Sequence, residues 1–359
     1  MPMLAVLLLL AADPVFPGAA WERASPAAVG LAEAQVRRAL NVWAANTGPD
    51  GVSKTAIVKA GRLVHASEAS REPNGLYSST KSVTSSVLGL LVDDGTVTLD
   101  QPAASIEPLL GPLYPGVTLR HFTTMTSGYS ADGISRWEGE NTDWSWTPYA
   151  PADPLFAPGT AYAYWDEAQM MLGRTLTRAA GRDVLELAAE RLFGPIGITS
   201  HAWLPEGSVV IGGRTVPIRN GCTWLSLHAE DLARFGWLMR HRGHWNGRQL
   251  LSAEWVSQAT QPQVGVDTPI GDTDRSSVDG RGCYGFNWWC NGVTASGDRL
   301  MPDLPADAFF SAGLKHNVCL VIPSWDLVLV RLGEDHNPER GHAATLNDVA
   351  RELDPAKSR

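Results

Sequence analysis

Hydrophobic side chains recur at helical spacing near the start of the chain. In the segment LAEAQVRRALNVWAA (31–45), Ala32, Val36, Leu40 and Trp43 fall near one face of a 3.6-residue repeat. An apolar face with polar residues opposite is typical of a helix that packs on a core. The pattern predicts an amphipathic helix over 31–45.

The central part of the chain carries further helical patterns. The segment KSVTSSVLGLLVDDG (81–95) places Val83, Val87 and Leu90 on one face, and Asp94–Gly95 provides a stop. Helical patterns of the same kind occupy 118–128, 165–181, 183–194 and about 341–353.

Patterns typical of β-strands lie before and after the helical patterns at 81–194. Residues 54–67 predict two short strands around an Ala-Gly turn, and 209–218 predicts a hairpin that turns at Gly212–Gly213. Successive strands follow over 309–333, interrupted at Pro323–Ser324–Trp325. The order of helix, strands, helical block, strands and helix predicts an α+β fold whose sheet is built from both chain ends.

The length of 359 residues suits one large domain or two lobes. The order of the patterns predicts an α/β lobe of residues 21–77 plus 206–359 and an inserted helical lobe of residues 78–205. Residues 1–20 are set apart as a predicted signal peptide.

The N-terminus supports this separation. Its apolar run from Met3 to Ala12 is shorter than the about 20 residues that a membrane-spanning helix needs. The run fits the hydrophobic region of a signal peptide, with candidate cleavage sites at Ala11–Ala12 and Ala19–Ala20. The region before it lacks Lys and Arg, so an apolar tail on a cytoplasmic protein stays an alternative. We expect export to the periplasm or the medium and no stable membrane span.

Composition and charge narrow the classes of partner. With 44% hydrophobic and 19% charged residues the chain is typical of a folded globular protein. Its net charge is −9, and no Lys/Arg cluster interleaves with aromatic residues, which disfavours nucleic acid as a partner. Nothing in the sequence predicts the oligomeric state.

The sequence predicts no metal site and no cofactor. Its four cysteines form no CxxC pair and have no zinc-type spacing to histidine, so buried free thiols are favoured over disulfides. His241 and His244 lie in an expected exposed turn and are not predicted to bind metal. The nucleophile elbow Gly-x-Ser-x-Gly and the His-Glu-x-x-His motif are both absent from the sequence.

One short segment carries candidate chemistry. In YSSTKSVTSS (77–86), Ser78 precedes Lys81 by three residues, which is one helical turn. Free backbone N–H groups and the dipole at a helix start favour a developing anion, and a buried lysine can lose its proton. The alternative is an ordinary helix cap with a solvated lysine.

The surroundings of this segment resemble a known family. LYSSTKSVTSSVLGLLVDDGTVTLDQPA resembles the active-site segment of the serine β-lactamase and penicillin-binding-protein-like hydrolases, where Ser-x-x-Lys is a catalytic motif. Similar family segments follow in order: VTLRHFTTMTSGY, APGTAYAYWDEAQMMLG, LSLHAEDLARFGWLMRHRGHWNGRQLLSAEWV, CYGFNWWCNG and FFSAGLKHNVCLVIP. Together they span roughly residues 50 to 335. The resemblance is to class C-like members, in the esterase or 6-aminohexanoate-dimer-hydrolase-like branch.

The resemblance implies a fold and a set of roles. The fold is β-lactamase/transpeptidase-like: an antiparallel sheet flanked by N- and C-terminal helices, an inserted helical lobe, and an active site in the cleft between lobes. By resemblance, Ser78 is the acylated nucleophile, Lys81 assists its deprotonation, and Tyr164 is a general base or proton relay. Tyr162 is a rival for the tyrosine role, and Lys81 remains a rival for the base.

The resemblance also implies an oxyanion hole. The backbone N–H groups of Ser78 and Leu314 would form it, with Gly313 allowing the substrate to approach the backbone closely.

Two positions depart from the family pattern. Asp166 stands where the family usually has asparagine; a carboxylate there would raise the pKa of Lys81 and shift the base role toward Tyr164. The alternative is that Asp166 only caps the following helix, and the two roles are compatible. Ser311, in the triplet Ser-Ala-Gly, stands where the family has the lysine of Lys-Thr-Gly, so a cation for a substrate carboxylate is missing unless Lys315 supplies it.

These observations predict a metal-independent serine hydrolase that cleaves a small ester or amide through an acyl-enzyme. A β-lactamase or D,D-carboxypeptidase is one alternative, and a non-catalytic ligand-binding descendant of the same fold is another. An aromatic stretch over 137–165 either lines an acyl pocket or packs between lobes; it comprises Trp137, Trp144, Trp146, Tyr149, Phe156, Tyr162 and Trp165.

Overall fold

Antiparallel strands form the frame of the structure, a computed structural model that describes residues 14–132, 135–137, 141–145, 147–271, 278–337 and 340–358. In chain order the strands are β1 (Lys54–Lys59), β2 (Arg62–Ala66), β3 (Asn74–Gly75), β4 (Ser135–Trp137), β5 (Asn141–Ser145), β6 (His201–Trp203), β7 (Pro205–Ile211), β8 (Arg214–Arg219), β9 (Leu225–Leu227), β10 (His244–Trp245), β11 (Arg248–Gln249), β12 (Trp289–Cys290), β13 (Phe309–Gly313), β14 (Asn317–Ile322) and β15 (Leu327–Leu332). The main sheet has the order β12-β13-β14-β15-β1-β2.

Helices cover this sheet and fill the middle of the chain. They are α1 (Glu33–Thr47), α2 (Thr80–Asp93), α3 (Leu119–Thr123), α4 (Asp166–Ala180), α5 (Val184–Ala188), α6 (Ala229–Arg240), α7 (Ala253–Ala259) and α8 (His342–Ala350). Among the described residues, no helix has both the length and the apolar character needed to cross a membrane.

The main sheet is buried on both faces, so its central strands are continuous apolar runs. On β14, Val318 and Leu320 pack with α1 and α8, whereas Cys319 and Val321 belong to the core on the α6 side. Helix α6 approaches closely because Gly236 has no side chain: a Cβ there would lie 2.7 Å from Cys319 Sγ. The sheet is thus the middle layer between the terminal helices and α6.

The sheet joins the two ends of the chain, as predicted. Ile57 of β1 pairs with Leu329 of β15 in the antiparallel register. The predicted helices over 31–45, 81–95, 165–181 and 341–353 and the strands over 54–67 and 309–333 are confirmed within a few residues. The α+β fold with an antiparallel sheet between N- and C-terminal helices is therefore confirmed.

Two predicted helices differ from the structure. The helix over 118–128 ends at Thr123, because Met125 adopts a positive φ of 59° that a helix cannot continue through. The helix over 183–194 is α-helical only to Ala188 and continues as a π-helical turn to Phe193.

The predicted hairpin at 209–218 is the β7–β8 pair, which turns at Gly212–Gly213. It packs on α4 and α5, which come from the predicted helical lobe. The lobe boundary at residue 206 stays a prediction.

The N-terminal region is only partly described. The first 13 residues of the predicted signal peptide, and Trp146 of the aromatic stretch, lie outside the described residues. The chain that follows packs on α6: Trp237 Nε1 donates to Val15 O at 3.0 Å, and Arg234 donates to Gly18 O at 3.0 Å. Cleavage after Ala20 would remove these contacts.

Candidate active site

Ser78 lies in a short 3₁₀ turn, Tyr77–Ser79, directly before α2. Tyr77 adopts a positive φ of 48°, which is an unfavourable conformation for a bulky residue and marks a tightly held turn. Two contacts hold it: Leu76 N–H donates to Leu225 O of β9 at 2.8 Å, and Ser79 Oγ donates to Asn317 O of β14 at 2.6 Å.

Lys81 connects Ser78 to a carboxylate. Its Nζ donates to Ser78 Oγ at 2.7 Å and lies 2.6 Å from Asp166 Oδ1. The Lys81 side chain is only 2% exposed and that of Asp166 is 17% exposed. The alternative of a solvated lysine is therefore wrong, and Ser78 is a hydrogen-bonded partner of a buried ammonium group.

The charge state of Lys81 follows from this pair. Burial alone lowers its pKa, because a charged group loses hydration, but the opposite charge of Asp166 outweighs burial and raises the pKa well above its ordinary value. Asp166 is the first residue of α4, and Trp165 occupies the N-cap position. Asp166 therefore does not occupy the N-cap position, and its carboxylate pairs with Lys81.

Tyr164 completes the group around Ser78. Lys81 Nζ lies 4.7 Å from the centre of the Tyr164 ring, and the tyrosine side chain hydrogen-bonds Ser78 and Lys81. Its ring stacks on Trp289 and meets Tyr284 edge-on, with ring centres 5.9 and 6.0 Å away. Burial raises the pKa of Tyr164, and the Lys81 charge partly opposes that increase.

Tyr162, the rival tyrosine, lies elsewhere. It is fully buried in the core between the sheet and the terminal helices, with its ring 6.0 Å from Tyr284. Within the described part of the chain its hydroxyl has no hydrogen-bond partner. The structure thus brings Tyr164, and not Tyr162, to Ser78.

Gly313 ends β13 against the turn that carries Ser78. A Cβ on Gly313 would overlap the carbonyl oxygen of Leu76 and lie 3.1 Å from Ser79 N. Backbone can approach backbone this closely only where a side chain is absent.

Gly313→Ala should therefore damage both stability and the site. We expect a loss of about 1–3 kcal/mol in the free energy of unfolding, since the new methyl group must displace backbone. Gly75→Ala is a matched control two residues before Tyr77, because no atom lies within 4 Å of its added Cβ. Urea denaturation of both variants checks this, and equal stability of the two would contradict the close packing.

Leu314 begins the turn between β13 and β14. The residue is 63% exposed, and no described residue accepts a hydrogen bond from its backbone N–H. Asn317 fixes the turn, since its Nδ2 donates to Leu314 O at 2.7 Å and its Oδ1 accepts from Gly333 N at 2.8 Å. The Leu314 N–H is thus a fixed donor beside the Ser78 turn.

The positions expected to hold a substrate carboxylate carry no free cation. Ser311 is buried on β13, and its Oγ has no hydrogen-bond partner among the described residues. Lys315 lies in the turn beyond the strand, with a positive φ of 61°, and pairs with Glu334 at 2.6 Å. Lys315 therefore does not lie on β13, where the family has its lysine at the position of Ser311.

Sequence reasoning missed two residues near the site. Burial raises the pKa of the Cys222 thiol; the nearby charge of Asp166 raises this pKa further, and that of Lys81 lowers it. Asn317 was missed as well, although Leu-Lys-His-Asn directly after the Ser-Ala-Gly triplet places a polar residue at a turn end. All four cysteines are unpaired and buried.

Comparison with known proteins shows the family of this chain. A family model described as Beta-lactamase matches residues 19–352. The 6-aminohexanoate-dimer hydrolase of Paenarthrobacter ureafaciens is 24% identical over 298 residues, which cover 78% of this chain and 72% of that protein. The D-alanyl-D-alanine-carboxypeptidase/endopeptidase AmpH of Escherichia coli K12 is 29% identical over 143 residues, only 36% of this chain and 37% of that protein.

The fold agrees with solved structures. A penicillin-binding protein homologue from Caulobacter crescentus superposes with a TM-score of 0.64 at 17% identity, covering 90% of this chain and 97% of the other. Its likeness shows the same fold. Because the family model spans nearly the whole chain and the curated relatives are hydrolases, the chain belongs to the beta-lactamase family and is a serine hydrolase of that family.

Proposed function

We propose that the enzyme hydrolyses a small ester or amide through an acyl-enzyme on Ser78. The observation that carries the proposal is the buried Lys81 ammonium, which donates to Ser78 Oγ at 2.7 Å while paired with Asp166. A serine held this way beside a second ionisable group, Tyr164, is an arrangement suited to nucleophilic catalysis.

Tyr164 is the proposed base. Asp166 keeps Lys81 protonated, so Lys81 has no lone pair with which to take the serine proton. The positive charge of Lys81 stabilises the phenolate form of Tyr164, which then accepts the proton from Ser78. Lys81 and Tyr164 titrate as a coupled pair, because each is in contact with the other.

The steps then balance as in other acyl transfers. Ser78 Oγ attacks the substrate carbonyl carbon as its proton passes to Tyr164, and the carbonyl oxygen becomes an oxyanion near the N–H groups of Ser78 and Leu314. The carbon–oxygen or carbon–nitrogen bond breaks, and Tyr164 returns the proton to the leaving alcohol or amine. Water then attacks the carbonyl carbon of the ester on Ser78 and gives its proton to Tyr164. The bond between that carbon and Ser78 Oγ breaks, the acid is released, and Tyr164 returns the proton to Ser78 Oγ.

The departures at Ser311 and Asp166 favour an ester or linear amide over a β-lactam. A β-lactam or D-Ala-D-Ala end carries a carboxylate that needs a cation, and Ser311 offers none while Lys315 is paired with Glu334. Asp166 removes an amide donor and is engaged with Lys81. The relative from Paenarthrobacter ureafaciens, named 6-aminohexanoate-dimer hydrolase, is consistent with this choice.

The test compares substrate classes on the same enzyme. Purified protein is assayed with p-nitrophenyl esters of increasing chain length, a linear p-nitroanilide and a chromogenic cephalosporin, and a fluorophosphonate probe is located by intact mass and peptide mapping. Ester or anilide turnover with the probe on Ser78 supports the proposal. Cephalosporin turnover well above ester turnover would favour the β-lactamase alternative, and no labelling of Ser78 would favour a ligand-binding protein.

Asp166→Asn provides a test of the base through its pH dependence. Asp166 raises the pKa of Lys81 and also that of Tyr164, so its neutralisation lowers both. Activity that requires a deprotonated group grows as pH rises through its pKa, and we therefore expect the rising limb of kcat/KM to move to lower pH in Asp166→Asn. A limb that stays in place or moves to higher pH would contradict the assignment of the base to the coupled Lys81–Tyr164 pair.

Export of the chain, predicted from residues 1–20, is likewise a proposal.

A further inference from the structure

The carbonyl oxygen of Gly313 has a side-chain partner that the proposed chemistry does not use. His342, the first residue of α8, places its Nε2 2.9 Å from Gly313 O. A carbonyl oxygen only accepts hydrogen bonds, so this nitrogen carries the proton and donates. The imidazole therefore lies behind the peptide that joins Gly313 to Leu314.

The buried side chain of His316 packs against the ring of His342. The ring of His316 lies 4.5 Å away between centroids. His316 Nδ1 contacts Asp335 Oδ2, and its Nε2 lies 3.3 Å from Thr345 Oγ1 of α8. Burial, followed by the nearby His316, lowers the pKa of His342 to about 4, so the ring is neutral near pH 7.

Peptide geometry links this contact to the cleft. In a trans peptide the C=O and the N–H lie in one plane and point in opposite directions. A donor behind Gly313 O thus fixes the Leu314 N–H on the side away from His342. A hydrogen bond to the carbonyl also polarises the amide and strengthens its N–H as a donor.

We infer that His342 is a positioning residue, which orients and polarises the Gly313–Leu314 peptide so that the Leu314 N–H donates to the oxyanion. The inference rests on the proposed function of Ser78 and deepens it. His342 does not touch the substrate in this role and acts only through the peptide. The adjacent peptide is held separately by Asn317, which bonds Leu314 O.

The test uses two substitutions at one position. His342→Gln keeps an N–H donor at similar reach. His342→Met introduces an apolar side chain of similar size and removes the donor. In His342→Met we expect kcat for a p-nitrophenyl ester to fall about 10- to 100-fold, with KM nearly unchanged. This fall is no larger than the fall in kcat that follows removal of a whole oxyanion donor. The affinity for an alkyl trifluoromethyl ketone, which forms a tetrahedral adduct on serine, should fall by a similar factor. His342→Gln should recover most of both losses.

A readout independent of turnover separates this inference from the proposed function. The ¹⁵N resonance of Leu314 in leucine-labelled protein should move upfield in His342→Met and return toward the wild-type position in His342→Gln, because the amide loses and regains polarisation. Unchanged kcat and an unmoved Leu314 resonance in His342→Met would overturn the inference, and so would equal impairment of the two variants. Absence of Ser78-dependent turnover in the wild type with a shifted Leu314 resonance would instead reject the proposed function and leave the peptide contact established.

Discussion

Replacing Ser78 by alanine should reduce kcat/KM for the best ester substrate by roughly 10³-fold or more, because a lost nucleophile removes the covalent route entirely. The methyl group of alanine fits the same space, and Lys81 keeps its ion pair with Asp166. The fold should therefore survive. Steady-state assays, with intact mass after fluorophosphonate treatment, measure the loss of turnover and of labelling together.

Ser85→Ala is the matched control for this result. Ser85 lies in the same helix α2, is fully buried, and its Oγ has no hydrogen-bond partner among the described residues. We expect activity close to that of the wild type. Retention of most ester turnover in Ser78→Ala would contradict the assignment of Ser78. Loss of ester turnover in Ser85→Ala would contradict it as well.

Lys81→Met should cost about 10²–10⁴-fold in kcat/KM, the range typical of impaired proton transfer to a general base, here Tyr164. The ammonium group orients Ser78 Oγ and, by its charge, stabilises the phenolate form of Tyr164. Both effects are lost together in methionine. The variant should also be less stable by up to about 3 kcal/mol, because a partly buried carboxylate loses the partner that offsets its lost hydration.

The loss of stability in Lys81→Met can be separated from the loss of catalysis. In Lys81→Met/Asp166→Asn neither charge remains, so the free energy of unfolding should recover toward the wild-type value while kcat/KM stays low. Thermal unfolding and ester assays on the same preparations provide the comparison. Recovery of activity together with stability would mean that Lys81 serves only the fold.

Local patterns predicted much of the fold, and the resemblance to a known family indicated the centre of the site. Apolar spacing located most of the helices and strands, and the family resemblance indicated Ser78, Lys81 and Tyr164, which the structure brings together. The shortened helix at 118–128 could not be foreseen, because it ends at the backbone conformation of Met125. Spacing also could not choose between a capping and an ion-paired Asp166.

What sequence reasoning missed are contacts between distant segments. Asn317 accepts a hydrogen bond from Ser79, and His342 donates to Gly313, yet neither pair is near in the chain. Periodicity within one helix or strand cannot predict such pairs, since each depends on how separate segments pack together in the folded chain. The catalytic roles of the site residues stay predictions until the variants are measured.

The pairing of β1 with β15 has a consequence for how the protein acquires its fold during synthesis. Ile57 of β1 can pair with Leu329 of β15 only after most of the chain has been synthesised. Pairings between residues so distant in sequence make folding slow. Until then β1 lacks its β15 neighbour, and this unpaired edge is prone to aggregate. Since Gly313 and Asn317 also secure the Ser78 turn, a ribosome-bound chain stopped before β13 should fail to react with a fluorophosphonate, however well its helices have formed.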